Sequence, residues 1–192
     1  MTKTFEKTSV ALILAVLFLA FITGCNKDDD DNPGSGTANF NISLENSAAK
    51  SSAAYESVNI DIIQVSIHTS SDSANNSGWY NLETEAGIYD LLDYPAGNDT
   101  LIAFDSVLST QKVSQIRLLL GNNNTVVENG TSHALQTPSG QTSGLKILVN
   151  ANLVAGKSYK VVLNFDSDKS VHKTGNNKYQ LKPVIKATVI EQ

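Results

Sequence analysis

One cysteine, one tryptophan, one methionine, four prolines and a single arginine stand in a chain of 192 residues. The lone cysteine excludes a disulfide framework and any cysteine-rich metal site. Basic charge is scarce: 14 Lys and Arg residues face 19 acidic ones, for a formal charge of −5, and the only arginine is Arg117. That excludes a nucleic-acid binder, which needs a clustered basic face to neutralise phosphates. The three histidines, His68, His133 and His172, lie far apart in the chain, so no pair has metal-ligand spacing. No metal and no cofactor are therefore expected. Also missing after Thr37 is any sustained i, i+3, i+4 apolar pattern, which excludes a helical domain. What the chain does hold is a set of Val/Ile/Leu runs and 41% hydrophobic residues, enough for one folded domain and against disorder along the whole length.

The longest apolar run is Val10–Ile22, uncharged and preceded by Lys3 and Lys7. As a helix it reaches about 20 Å, short of the roughly 30 Å hydrocarbon core, and with its basic start it reads as a secretory signal. The run exits through Ile22-Thr23-Gly24-Cys25, which resembles the lipobox of bacterial lipoproteins. The resemblance implies cleavage after Gly24 and acylation of Cys25, which would anchor the chain without a spanning segment. Next come Lys27 and the four carboxylates Asp28, Asp29, Asp30 and Asp31, then Pro33, Gly34 and Gly36. Mutual repulsion and turn-forming residues make 25–37 a solvated tether. A lysine and acidic residues just after a lipidated cysteine resemble the export signal that carries some lipoproteins to the cell surface; the alternative is a plain spacer. The expected organisation is a signal segment 1–24, a tether 25–37 and a domain 38–192.

In the domain, alternation dominates. Leu145, Ile147, Val149, Ala151 and Leu153 share a phase, as do Tyr159, Val161, Leu163 and Phe165, and Leu181, Pro183, Ile185, Ala187 and Val189. The segment Val58–His68 changes phase between Ile62 and Ile63, which predicts a β-bulge that keeps both halves facing the core. Asn129-Gly130 predicts a two-residue hairpin, and Gly121–Asn124 a further turn. Pro183 cannot donate to a ladder and places its strand at an edge or at its own start. About eight to ten strands are expected, near 39–45, 57–68, 79–82, 101–105, 112–120, 125–128, 131–136, 145–153, 158–166 and 179–190. The fold class is all-β, a two-sheet β-sandwich of Greek-key type.

Val113–Leu118 (VSQIRL), Pro138-Ser139-Gly140 with Ser143–Ile147 (SGLKI), Asn164–Val171 (NFDSDKSV) and Tyr179–Ile185 (YQLKPVI) together resemble the family known as domain of unknown function 4382. The resemblance implies an envelope protein, often a lipoprotein, with a prealbumin-like β-sandwich over residues 38–190. It implies no catalytic residue, because the family has no established activity.

Candidate chemistry is sparse. Asp166, Asp168 and Ser170 open like a calcium loop, but Val171 replaces the required glycine and Asn177 the closing glutamate. Ser47 and Lys50, Ser71-Asp72-Ser73, and Lys173-Thr174-Gly175 imitate the motifs of penicillin-recognising serine enzymes, without the buried helix that chemistry needs. An enzyme is not expected. For binding, Tyr80 and Tyr94 could stack on a sugar, while Trp79, adjacent to Tyr80 and so facing the other way, is expected in the core. Lys146, Lys160, Lys182 and Lys186 could form a basic strip for an anionic glycan. Ser73, Thr100 and Ser106 each follow an aspartate, in a triplet resembling a short O-glycosylation motif. The expected function is a surface-exposed, lipid-anchored, non-catalytic binding or accessory module. It would reach the outer membrane through acyl chains, face the cell exterior and recognise a glycan or another envelope protein. The alternative is an envelope or appendage assembly subunit that pairs through a sheet edge.

Overall fold

Alternating apolar residues become strands because successive side chains point to opposite faces, so a period of two buries one face of a sheet. In a computed structural model, the described residues are 36–48, 55–69, 78–108, 112–138 and 140–192. The expectations for the signal segment, Cys25, Lys27, Asp28–Asp31, Lys50 and Ser71–Ser73 lie outside them. Two mixed sheets pack together as an all-β sandwich, and fourteen strands are present among the described residues, more than the eight to ten expected. Of the surplus, β4 (Glu83–Thr84), β5 (Gly87–Asp90) and β12 (Val171–Thr174) carry too few residues to show a period, and one more comes from the division of the expected strand 179–190.

The five-stranded sheet runs β14-β11-β1-β6-β4, formed by β1 (Thr37–Asn46), β4 (Glu83–Thr84), β6 (Thr100–Leu108), β11 (Ser158–Phe165) and β14 (Ile185–Glu191). Its centre is a parallel pairing, Asn39 opposite Ser158 through Asn46 opposite Phe165. The nine-stranded sheet runs β10-β7-β2-β8-β9-β13-β12, with β3 and β5 also on β2. Its members are β2 (Ser57–Thr69), β3 (Trp79–Asn81), β5 (Gly87–Asp90), β7 (Lys112–Leu120), β8 (Thr125–Glu128), β9 (Thr131–Gln136), β10 (Leu145–Asn152), β12 (Val171–Thr174) and β13 (Lys178–Leu181). Phe40, Ile42 and Leu44 from one sheet and Ile60, Ile67 and Ile116 from the other are at most 1% exposed. Each such side chain contributes about 1.5–3 kcal/mol by leaving water.

The 13-residue β2 is long enough to serve two sets of neighbours. Its first half pairs with β8 and β5, and its second half with β7 and β3. The change of partners falls at the expected bulge: the register slips between Ile62, opposite Leu120, and Gln64, opposite Leu119. Ile62 and Val65 stay buried, whereas Ile63, the extra residue, is 47% exposed. The bulge therefore keeps both halves of β2 on the core by expelling Ile63, which sequence phase alone had counted with Val65 and Ile67.

The turn from β7 to β8 sits opposite this switch. Gly121 N donates to Asp61 O, Asp61 N donates to Asn124 Oδ1 at 2.9 Å, and Asp61 Oδ2 accepts from Asn123 N and Nδ2. The ladder gap between two partner strands is thus filled by a buried carboxylate and a buried amide, which satisfies backbone groups that would otherwise be left unpaired. At the β8–β9 hairpin, Asn129 and Gly130 have φ of 52° and 70°, the positive pair expected of a two-residue turn.

The expected strand 179–190 is instead two strands in different sheets. Alternation runs unbroken through Leu181, Pro183 and Ile185, yet Lys182-Pro183-Val184 crosses from β13 in the larger sheet to β14 at the end of the smaller one. Pro183 thus falls in the crossing, ahead of an edge strand. The crossing is pinned by one helical turn, α1 (Ser167–Ser170): Lys182 N donates to Ser170 O and Val184 N to Ser170 Oγ.

Candidate functional site

Along β2, β3, β7 and β10 the side chains that do not enter the core form two rows on the outer face of the larger sheet. Cross-strand register sets Lys146, Arg117, Ser66 and Asn81 in one row, and Leu148, Gln115, His68 and Trp79 in the next. Trp79 is half-buried on this outer face and not in the core, which corrects the sequence expectation. Its indole leans over the sheet: the Arg117 guanidinium carbon lies 4.4 Å from the ring centroid and Lys146 Nζ 5.8 Å from it. The His68 ring meets it edge-on at 5.2 Å, and His68 Nδ1 is 3.0 Å from Ser114 Oγ. A cation over indole is worth about 0.5–2 kcal/mol, depending on desolvation.

Local sequence explains why the arginine is held there. Gly144 has φ of 73°, and a Cβ on it would come within 2.6 Å of Arg117 Cγ. Only glycine both adopts this backbone and leaves room for the arginine stem. Arg117 Nη2 donates to Ser66 Oγ at 3.4 Å, and Ser66 Oγ donates to Asn81 Oδ1 at 2.8 Å. Arg117 and Lys146 have no carboxylate within 4 Å among the described residues, whereas Lys157, Lys160, Lys169 and Lys173 each have one. Beside Lys146, a cleft of about 320 Å³ opens between β10 and the start of β14, lined by Leu145, Ile147, Pro183 and Ile185.

The other candidates are dispersed. Tyr80 lies near the Phe40 end of β1 and donates from its hydroxyl to Asp105 Oδ2 at 3.1 Å. That hydrogen bond, with burial, raises its pKa above the ordinary tyrosine value. Tyr94 lies at the opposite end of β1, where its carbonyl accepts from Asn46 N, and its ring neighbours Tyr89 at 6.3 Å. The two tyrosines form no joint platform. The expected lysine strip is likewise divided: Lys146 stands on the larger sheet, Lys160 and Lys186 on the smaller, and Lys182 in the crossing between them. Lys160 is bound to Asp99 at 2.8 Å. Burial alone would raise the Asp99 pKa, but hydrogen bonds from Lys160 and Ser43 outweigh it and hold the carboxyl below the usual range. Thr100 opens β6 and is half-buried. The exposed Ser106 donates to Asn39 Oδ1 within a shallow groove of about 390 Å³ on the smaller sheet.

The sequence that opened like a calcium loop is a capped helical turn. Asp166 accepts from Lys169 N on one oxygen and pairs with Lys169 Nζ at 2.6 Å on the other, which lowers its pKa. Among the described residues no cluster of three or more His, Cys, Asp or Glu could hold a metal ion. Ser47 is exposed, and Lys173 is engaged elsewhere, in a network sequence reading missed. Glu128 accepts there from Lys173 Nζ and from the Tyr179 hydroxyl, with His133 against the Tyr179 ring at 4.7 Å. Hydrogen bonds from Lys173 and Tyr179 lower the Glu128 pKa, and the hydrogen bond to Glu128, with one to Tyr179, raises that of Lys173. The hairpins bring these residues together from distant stretches of chain, and no local motif marks them.

Fold and surface define an all-β sandwich domain with an aromatic and cationic platform on one face. The family profile described as Domain of unknown function (DUF4382) matches residues 36–183, and the chain belongs to that family. Comparison with curated proteins and with solved structures gives no match.

Proposed function

We propose that the protein is a lipid-anchored, non-catalytic binding module. Cys25 carries its acyl chains at the outer membrane, the tether holds the domain on the exterior side, and the outer face of the larger sheet recognises a glycan. The observation that carries this reading is the platform itself. The chain's single tryptophan and single arginine, drawn from strands 38 residues apart in sequence, meet at 4.4 Å on a solvent-facing surface. An indole beside amide and hydroxyl groups is suited to stacking against sugar rings. Two measurements test the reading. Protease treatment of intact cells should cleave the wild-type chain and spare an Asp28–Asp31→Ala variant that is equally folded after lysis. Trp79→Ala should abolish retention on immobilised glycan while leaving the thermal midpoint within a few degrees; unchanged retention would remove the platform from the reading.

A second reading, assembly through a sheet edge, is supported by β10 and β14. Each is the terminal strand of its sheet, and each exposes apolar residues, Leu148 on one and Val189 and Ile190 on the other. Such edges are templates for strand addition by another chain. Co-purification of an envelope partner that is lost on placing proline in β14 would favour it.

A further inference from the structure

We infer that the glycan taken by this platform is anionic, bearing carboxylate or sulfate groups, an inference that rests on the binding-module reading above. Lys146 stands directly opposite Arg117 in the β10–β7 ladder. Like charges facing each other across strands destabilise a sheet. Lys157, Lys160, Lys169 and Lys173 each have a carboxylate partner within 4 Å, which Lys146 and Arg117 lack among the described residues. Here neither four-residue row contains an acidic side chain, in a chain whose net charge is −5. The cationic pair is therefore a local departure from an acidic background, and the negative charge of a ligand would meet no opposing carboxylate within either row.

Arg117 is prepared to receive that charge. Its stem lies against Gly144, its guanidinium stacks on Trp79, and of its five N–H donors one is directed to Ser66 Oγ. The guanidinium carries the planar fork that matches a carboxylate or sulfate in bidentate fashion. Lys146 supplies a second, mobile charge on the same ring. Gln115 and Asn81 offer amide groups for hydroxyls, and Leu148, 78% exposed in the second row, offers apolar contact to a sugar face. Two cations with amides and an indole fit an acidic sugar polymer; a polyphosphate track would need a longer basic stripe.

The test uses the full-length protein in detergent at low salt, with polygalacturonate and dextran sulfate as anionic probes, dextran as the neutral probe and polyglutamate as an acidic peptide. The expected result is binding of both anionic glycans, weaker binding of dextran, and affinity that falls as salt rises. Arg117→Ala should cut affinity about tenfold or more, and Arg117→Lys should not restore it, because lysine lacks the fork. Lys146→Glu should act in opposite directions on two readouts. It removes polyanion binding and raises the thermal midpoint, because it turns a like-charge pair into an attractive one. A role for these residues in folding alone would not give that reversal. Equal binding of dextran that still depends on Trp79 overturns the anionic inference and leaves the glycan reading standing. Binding of polyglutamate alone, or of none of the probes, overturns both.

Discussion

Replacing Gly121 by alanine should destabilise the wild-type domain and stabilise a domain that already lacks the Asp61 carboxylate. Gly121 is not among the glycines with positive φ, so its backbone accepts an L-residue without strain. At such a position Gly→Ala normally stabilises by about 0.4–1 kcal/mol through the unfolded chain. The obstacle is a single group: a Cβ on Gly121 would lie 2.2 Å from Asp61 Oδ2 and 2.6 Å from Asp61 Cγ. The carboxylate must then swing away from Asn123 N and Nδ2, now 3.1 and 2.9 Å from Oδ2. Hydrogen bonds to a charged group contribute about 1.5–3 kcal/mol each, and part is recovered from water at the rim, so Gly121→Ala should cost about 2–3 kcal/mol. Asp61→Ala removes the same bonds and should cost a similar amount. In the double variant the methyl group meets no carboxyl, and the second substitution should regain a few tenths to about 1 kcal/mol. The coupling energy is therefore about 2.5–4 kcal/mol, measurable by urea denaturation of the four proteins at constant m-value. Additive costs, with the double variant the weakest of the four, would refute the idea that the turn is held through this carboxylate.

Further outcomes follow from the same geometry. Ile62→Ala should cost about 2–5 kcal/mol and Ile63→Ala about 1 kcal/mol or less, despite their adjacency, because the bulge buries the first and exposes the second; equal losses would place the slip elsewhere. Glu128→Gln should flatten stability against pH at both ends. The lowered Glu128 pKa gives stability that is present above the unfolded carboxylate range and lost as pH falls through the folded value. The raised Lys173 pKa gives stability present below the ordinary lysine range and lost as pH rises through its folded value. Thermal midpoints from pH 2 to 11 would expose both limbs in wild type, and their persistence in the variant would contradict the assignment. Gly144→Ala should cost about 1–3 kcal/mol from its left-handed backbone and the displaced Arg117 stem, and should weaken platform binding more than a substitution on the smaller sheet.

Legibility in the sequence followed the range of the interaction. Strand alternation in β10 is written residue by residue, and its burial follows the expected order from Leu145 to Ala151. The phase slip in β2 was readable because one strand contains both sides of it. Trp79 was misplaced because a lone tryptophan in an apolar dipeptide looks like core. Its environment is set by Arg117 and Lys146, which arrive through two ladders that no local pattern encodes. Lys160 looked free because its partner Asp99 lies 61 residues earlier. The passage from β13 to β14 was hidden by its own regularity: Leu181, Pro183 and Ile185 keep a period of two while the chain changes sheets, so the sheet exchange leaves no mark on the alternation. α1 spans four residues, about one turn, and a helix that short has no period to detect.

The parallel join between β1 and β11 also fixes the order in which the domain can come into being. Asn39 and Ser158 are 119 residues apart, and closing so long a loop costs about 4 kcal/mol beyond a constant, by the logarithmic dependence on length. β1 meets β6 across a shorter stretch of chain, whereas the strand on its other side comes from residues 158–165 and β14 from residues 185–191. An N-terminal fragment ending before Ser158 leaves Phe40, Ile42 and Leu44 with one neighbour strand where they need two. The smaller sheet is thus closed on that side only when residues 158–165 reach β1, and a chain truncated ahead of them leaves the sheet open there.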